Sequence, residues 1–98
     1  MREVFEHELE KAKCYAREAR RDYAVKVLTP RQLQVLILMG RGKGPTLIGK
    51  ILGMSHKTAS TTRVDMMKRM GLEDNYQVME YSIRSDMDSK EFMDKHIK

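Results

Sequence analysis

Ser55, Lys57 and Thr58 open a stretch in which hydroxyl and cationic side chains recur as far as Lys68. Such groups bind phosphate. Hydroxyls and the unpaired N–H groups of a helix start donate hydrogen bonds to anionic oxygens, and ammonium or guanidinium groups neutralise the charge. Arg63 and Lys68 are suited to a flanking backbone, and Lys43 and Lys50 extend the same chemistry from upstream, although any single lysine reads equally as a solvated surface charge. Catalysis finds no comparable constellation. His7, His56 and His96 are scattered, Cys14 has no partner nearby in sequence, and no Gly-rich phosphate loop follows a strand. His56, just after Ser55, reads as a phosphate neighbour or surface residue rather than a base. No C-x-x-C or Cys/His cluster at metal spacing occurs, so neither an enzyme nor a metal or cofactor is expected.

Positioning these groups requires two short helices crossing at close quarters. Ile48, small Gly49, Leu52, turn-forming Gly53, Met54 and Ala59 have the size pattern of a helix-turn-helix, with Gly49 bare where the helices nearly touch and Gly53 free to take a positive φ. Around it the pattern is helical throughout, so the fold is expected to be all-α. Thr29-Pro30-Arg31-Gln32 is a helix start with a capping box, and the helix runs to about Gly40 with Val35, Leu36 and Met39 facing the core. Gly42 and Gly44 close it, Pro45 begins the second helix, and Ser55 caps a third that reaches Met70. Asp74 or Asn75 caps a fourth, through about Arg84. Nine methionines are best read as core filler, with Met39, Met54, Met66, Met70 and Met79 at helical core spacing.

With 98 residues the chain has room for one modest core, and its one cysteine excludes an intramolecular disulfide. The net charge of +5 is unevenly spread: +1 over residues 1–27, +7 over 28–72 and −3 over 73–98. Basic charge thus gathers on the helix-turn-helix, where phosphates would be neutralised; the alternative is a merely solvated face. The longest apolar run, Val35 to Met39, is too short to span a bilayer, and the glutamate-rich start is unlike a signal peptide. A cytoplasmic protein without a membrane partner is expected.

Residues 1–27 form a separate unit in which Phe5, Leu9, Ala12, Ala16, Ala19 and Tyr23 alternate steps of four and three, the seam of an amphipathic helix. It is short and half alanine, so docking is favoured over an isolated coiled coil. Leu33 and Ile37 lie off the core stripe of the first motif helix, and the N-terminal helix is expected to cover them, within the chain or across a dimer. Residues 86–98 form a tail that either frays or makes a short helix capped by Asp88 or Ser89.

From Leu28 to Arg84 the chain resembles the DNA-binding domain of LuxR-type (NarL/FixJ) bacterial transcription regulators. The matching elements are the opening LTPR, Val35-Leu36, Gly42, Ile48 with Leu52, Gly53-Met54-Ser55, Lys57-Thr58, Arg63, Met70-Gly71-Leu72 and Tyr81-Ser82-Ile83-Arg84. The resemblance implies a four-helix domain over residues 28–85 that binds double-stranded DNA with its third helix in the major groove, Ser60, Thr61 and Val64 being the base-reading positions. It also implies a homodimer through the fourth helix, with Met79 and Ile83 inward and Val78, Tyr81, Ser82 and Ser85 on the outer face. Tyr81 is equally readable as a half-buried core aromatic. Departures from the family are Ser60 for a basic residue, Thr62 for a histidine, and Gln32 and Leu47 for acids. Modest sequence preference, or reliance on DNA shape, follows from them. The alternative is a protein-interaction module that binds another regulator or RNA polymerase. Twenty-seven residues before the module are too few for a receiver or ligand-binding domain, so no sensor is expected.

Overall fold

The computed structural model describes residues 16–87 and 89–97, in which helices account for nearly all the ordered secondary structure and no strand occurs. A helix across residues 16–27 (α1) is followed by α2 (Pro30–Gly40), α3 (Pro45–Leu52), α4 (His56–Met70), α5 (Asn75–Arg84) and α6 (Lys90–His96). The starts are set locally. Thr29 Oγ1 accepts from Gln32 N at 3.2 Å while Gln32 Oε1 accepts from Thr29 N at 3.1 Å, closing the expected capping box. Gln32 therefore closes the box with a neutral side chain. Ser55, Asp74 and Ser89 cap α4, α5 and α6.

α2 is the central element and packs against α3, α4, α5 and α6. Five consecutive residues, Val35 to Met39, are buried, as expected of a helix enclosed on all sides rather than on one stripe. The core is completed by Ile48 and Leu52 of α3, Ala59 and Met66 of α4, Val78 of α5, Met87, and Phe92 of α6. Leu33 and Ile37 are buried, and the tail packs on α2. Gln34 Nε2 donates to His96 O at 2.7 Å, and Arg41 reaches the sulfur of Met93.

α1 docks within its own chain, on a face one step from the expected seam. Ala24 and Leu28 are buried, whereas Ala19 and Tyr23 are exposed; Phe5, Leu9 and Ala12 lie outside the described residues. The reason is that arginine stems share the docked face. Arg21 Nε donates to Ser85 O at 2.6 Å, its Nη2 meets Asp86 Oδ2 at 3.0 Å, and its guanidinium lies 5.6 Å from the centre of the Phe92 ring.

The phase of α5 overturns the expectation. Val78, Ser82 and Ser85 are buried, while Met79 and Ile83 are exposed, Ile83 at 64%. A close approach between α2 and α5 decides this. A Cβ on Gly40 would run into the Oγ and Cβ of Ser82, so only small side chains fit at that crossing and the larger ones turn outward. Val78, Ser82 and Ser85 therefore do not form an outer face, and Met79 is not core filler.

Candidate nucleic-acid interface

α3 and α4 cross where the sequence placed its small residue. A Cβ on Gly49 would lie 2.6 Å from the carbonyl oxygen of Met54, inside the turn that Gly53 makes at φ 69°. With Ala59 and Met66 buried against the body, the opposite face of α4 is presented outward.

That face carries most of the expected contact residues. Ser55, Lys57, Thr58, Thr61, Val64 and Lys68 are exposed, and Ser60 and Arg63 are half-buried. Ser55 Oγ accepts from Thr58 N at 3.1 Å, leaving the earliest N–H groups of α4 directed toward solvent beside Lys57. Their positive end of the helix dipole suits a phosphate. Thr61 Oγ1 donates to Lys57 O at 3.0 Å and Thr62 Oγ1 to Thr58 O at 2.8 Å, so both hydroxyl protons are engaged by the helix itself. What Thr61 offers outward is a methyl group and an acceptor oxygen, a smaller vocabulary than a free hydroxyl.

The cations divide into two groups. Arg63 and Lys43 line one cleft with Pro45, Asn75 and Met79; Arg63, Val64 and Lys68 line another with Leu72 and Asp74. Arg63 thus turns from the outermost ridge toward the start of α5, and its Nε is buried without a hydrogen-bond partner. Lys50 stands exposed on α3, outside both clefts. A feature not anticipated is a tie between the two crossing helices, with Thr46 Oγ1 3.0 Å from His56 Nδ1. The ten-residue separation of a threonine and a histidine carries no periodic signal that would have revealed it.

Tyr81 belongs to the α1 contact rather than to an outer surface. Its hydroxyl donates to Arg20 O at 2.7 Å, and burial raises its pKa above the usual 10.0, with Arg20 opposing and Tyr23 reinforcing the shift. The exposed apolar residues of α5 are instead Tyr76, Met79 and Ile83, spaced three and four apart.

Two helices locked by a bare glycine, the second capped and turned outward with its cations, define a DNA-binding helix-turn-helix. The chain belongs to the family described as bacterial regulatory proteins, luxR family, whose model matches residues 26–82. Domains of this family are DNA-binding modules of transcription regulators, not enzymes. No curated protein and no solved structure gives a significant match. Among the described residues no helix is long and apolar enough to cross a membrane.

Proposed function

We propose that the protein is a sequence-specific regulator that sets α4 in the major groove of double-stranded DNA, with Ser55, Lys57 and Thr58 anchoring phosphate and Ser60, Thr61 and Val64 meeting base edges. The observation that carries this reading is the division of α4 itself: an apolar inner face buried on the core and an outer face of hydroxyls and lysines open to solvent. Arg63, Lys68, Lys43 and Lys50 add backbone contacts. Two copies bind together through Tyr76, Met79 and Ile83 of α5, each placing one α4 in successive turns of a palindromic site.

Fluorescence anisotropy on specific and random duplexes across a salt series tests the assignment. Lys57→Glu weakens binding to every sequence and lowers the slope of log affinity against log salt by about 1. Thr61→Ala mainly changes which sequence is preferred, leaving the slope intact. Equal losses for both variants on both duplexes contradict the division of roles. A second reading is favoured by Leu47 and Ile51, one turn apart on α3 and each 42% exposed: a surface for another regulator or RNA polymerase. Under that reading alone, random duplex is not bound even at low salt.

A further inference from the structure

Arg63 sits on the border between the buried and the outward face of α4, and the protein offers its guanidinium nothing to bind. Nε is buried without a hydrogen-bond partner, and the side chain forms no hydrogen bond or ion pair among the described residues. A charged N–H left buried and unpaired costs more than an ordinary missing hydrogen bond, so such a group points to a partner from outside the chain. Arg63 lines a cleft of about 190 Å³ with Gly42, Lys43 and Gly44 of the loop joining α2 to α3, and with Asn75 and Met79 of α5. A second cation, Lys43, thus reaches the same small space from a different element. Its loop is fixed by backbone bonds, from Gly42 N to Met39 O at 2.9 Å and from Lys43 N to Leu38 O at 3.0 Å. Glu73 and Asp74 belong to the neighbouring cleft, which Arg63 also lines. Neither pairs with Arg63, and Asp74 Oδ1 accepts instead from Gln77 N at 2.8 Å.

We infer that this cleft is a pocket for one phosphate group, gripped by Arg63 and Lys43. A planar guanidinium fork matches two phosphate oxygens, and the ammonium group supplies a point charge beside it. An anion between them satisfies Nε and relieves the repulsion of the two cations. The amide of Asn75 adds a neutral donor at the rim. The volume is below the roughly 300 Å³ at which pockets enclose whole small molecules, so a single group enters and the rest of the ligand stays outside. The same chemistry has two sources, a free phosphorylated molecule or a phosphodiester of the bound duplex. The first is independent of what α4 reads, whereas the second rests on the function proposed above and deepens it. Met79, on the wall of the pocket, also belongs to the exposed row of Tyr76, Met79 and Ile83, so an occupied pocket adjoins the face through which two copies are proposed to bind.

Inorganic phosphate is the probe, titrated into the full chain at constant ionic strength with chloride as reference. Binding is read by calorimetry and by the NMR resonance of the Arg63 Nε–H. A saturable shift is expected with phosphate and none with chloride. Lys43→Gln weakens phosphate by about tenfold, as loss of one charge-assisted contact implies. Lys90→Gln removes the same charge from the exposed start of α6 and leaves the affinity unchanged. Arg63→Met abolishes the binding and raises the thermal midpoint in phosphate-free buffer, because it removes a buried donor that the empty pocket leaves unsatisfied. An arginine with a purely structural role gives the opposite sign. Duplex DNA separates the sources: it shifts the Arg63 resonance and blocks phosphate if the pocket takes a phosphodiester, and does neither if the pocket takes a free phosphate. A protein that binds phosphate but no duplex keeps this pocket and loses the reading of α4. The inference is overturned by three results: no saturable shift at millimolar phosphate, an equal loss in Lys90→Gln, or a lowered midpoint in Arg63→Met.

Discussion

Two helix crossings in this protein rest on a missing side chain, and they differ in what fills the space. At Gly49 the neighbour is the carbonyl oxygen of Met54, a backbone atom fixed between the left-handed Gly53 and the Ser55 cap. At Gly40 the neighbour is the side chain of Ser82, on a helix distant in sequence. The first crossing is local and orients α4 toward its ligand. The second is long-range and sets which face of α5 the solvent meets. A constraint imposed by backbone admits no partner substitution, whereas one imposed by a side chain can be exchanged between the two helices.

The largest effect is expected at Gly40. An alanine there overlaps the Oγ and Cβ of Ser82, so α5 must shift bodily, and the loss is about 3 kcal/mol despite the better helix propensity of alanine. Ser82→Gly in the same chain removes the obstacle, leaving only the Ser82 Cα position at 3.9 Å, an ordinary contact. The new methyl group then occupies the space the serine had filled. Chemical denaturation of both singles and the double should give a favourable coupling of more than about 1 kcal/mol. Additive losses would mean that the crossing is not where the strain lies.

Gly49→Ala should cost somewhat less, about 2 kcal/mol, because its Cβ overlaps one atom rather than two, although that atom is the backbone oxygen of Met54 at 2.6 Å and the turn must move by roughly 0.8 Å to bring it to ordinary contact at 3.4 Å. No single side-chain change elsewhere restores it. Its effect on duplex affinity should nevertheless exceed that of Gly40→Ala at temperatures where both variants are folded, since the displaced atoms lie in the turn that aims α4. A Gly40 variant weaker on DNA than a Gly49 variant of equal helicity would reverse the division between the two crossings.

The same contrast explains what the sequence disclosed. The capping box at Thr29 and Gln32, the Gly53 turn and the Ser55 cap depend on neighbours three or four residues away, and their residue types announce them. Hydrophobicity alone pointed Met79 and Ile83 inward on α5. The deciding fact was the room available against Gly40, which no periodicity in α5 records. On α1 the seam was read through Ala19 and Tyr23 because arginines counted as surface, yet Arg21 buries its stem while its head group bonds Ser85 and Asp86. Of the contact residues on α4, exposure followed the expected face, but the inward turn of Arg63 depended on where α5 begins.

A third packing of α2, against α6, involves neither glycine and is built from long side chains; its stability should respond to pH rather than to a single methyl group. Burial lowers the pKa of His96 below its ordinary 6.5, with Lys95 adding to the shift, and the ring packs against Phe92 at a tilt of 49° with centroids 4.5 Å apart. A histidine whose folded pKa is depressed binds its proton more readily in the unfolded chain. The docked state is therefore fully favoured above pH 6.5 and loses stability as the pH falls toward the folded value. Amide exchange should show faster opening of Lys90–His96 at pH 5.5 than at pH 7.5, after correction for intrinsic rates, with α3 and α4 nearly unchanged. His96→Gln should remove most of that difference. If the variant keeps the full pH response, the titrating group lies elsewhere, and α6 is held by its apolar residues and the Gln34 bond to the His96 carbonyl, which the substitution leaves in place.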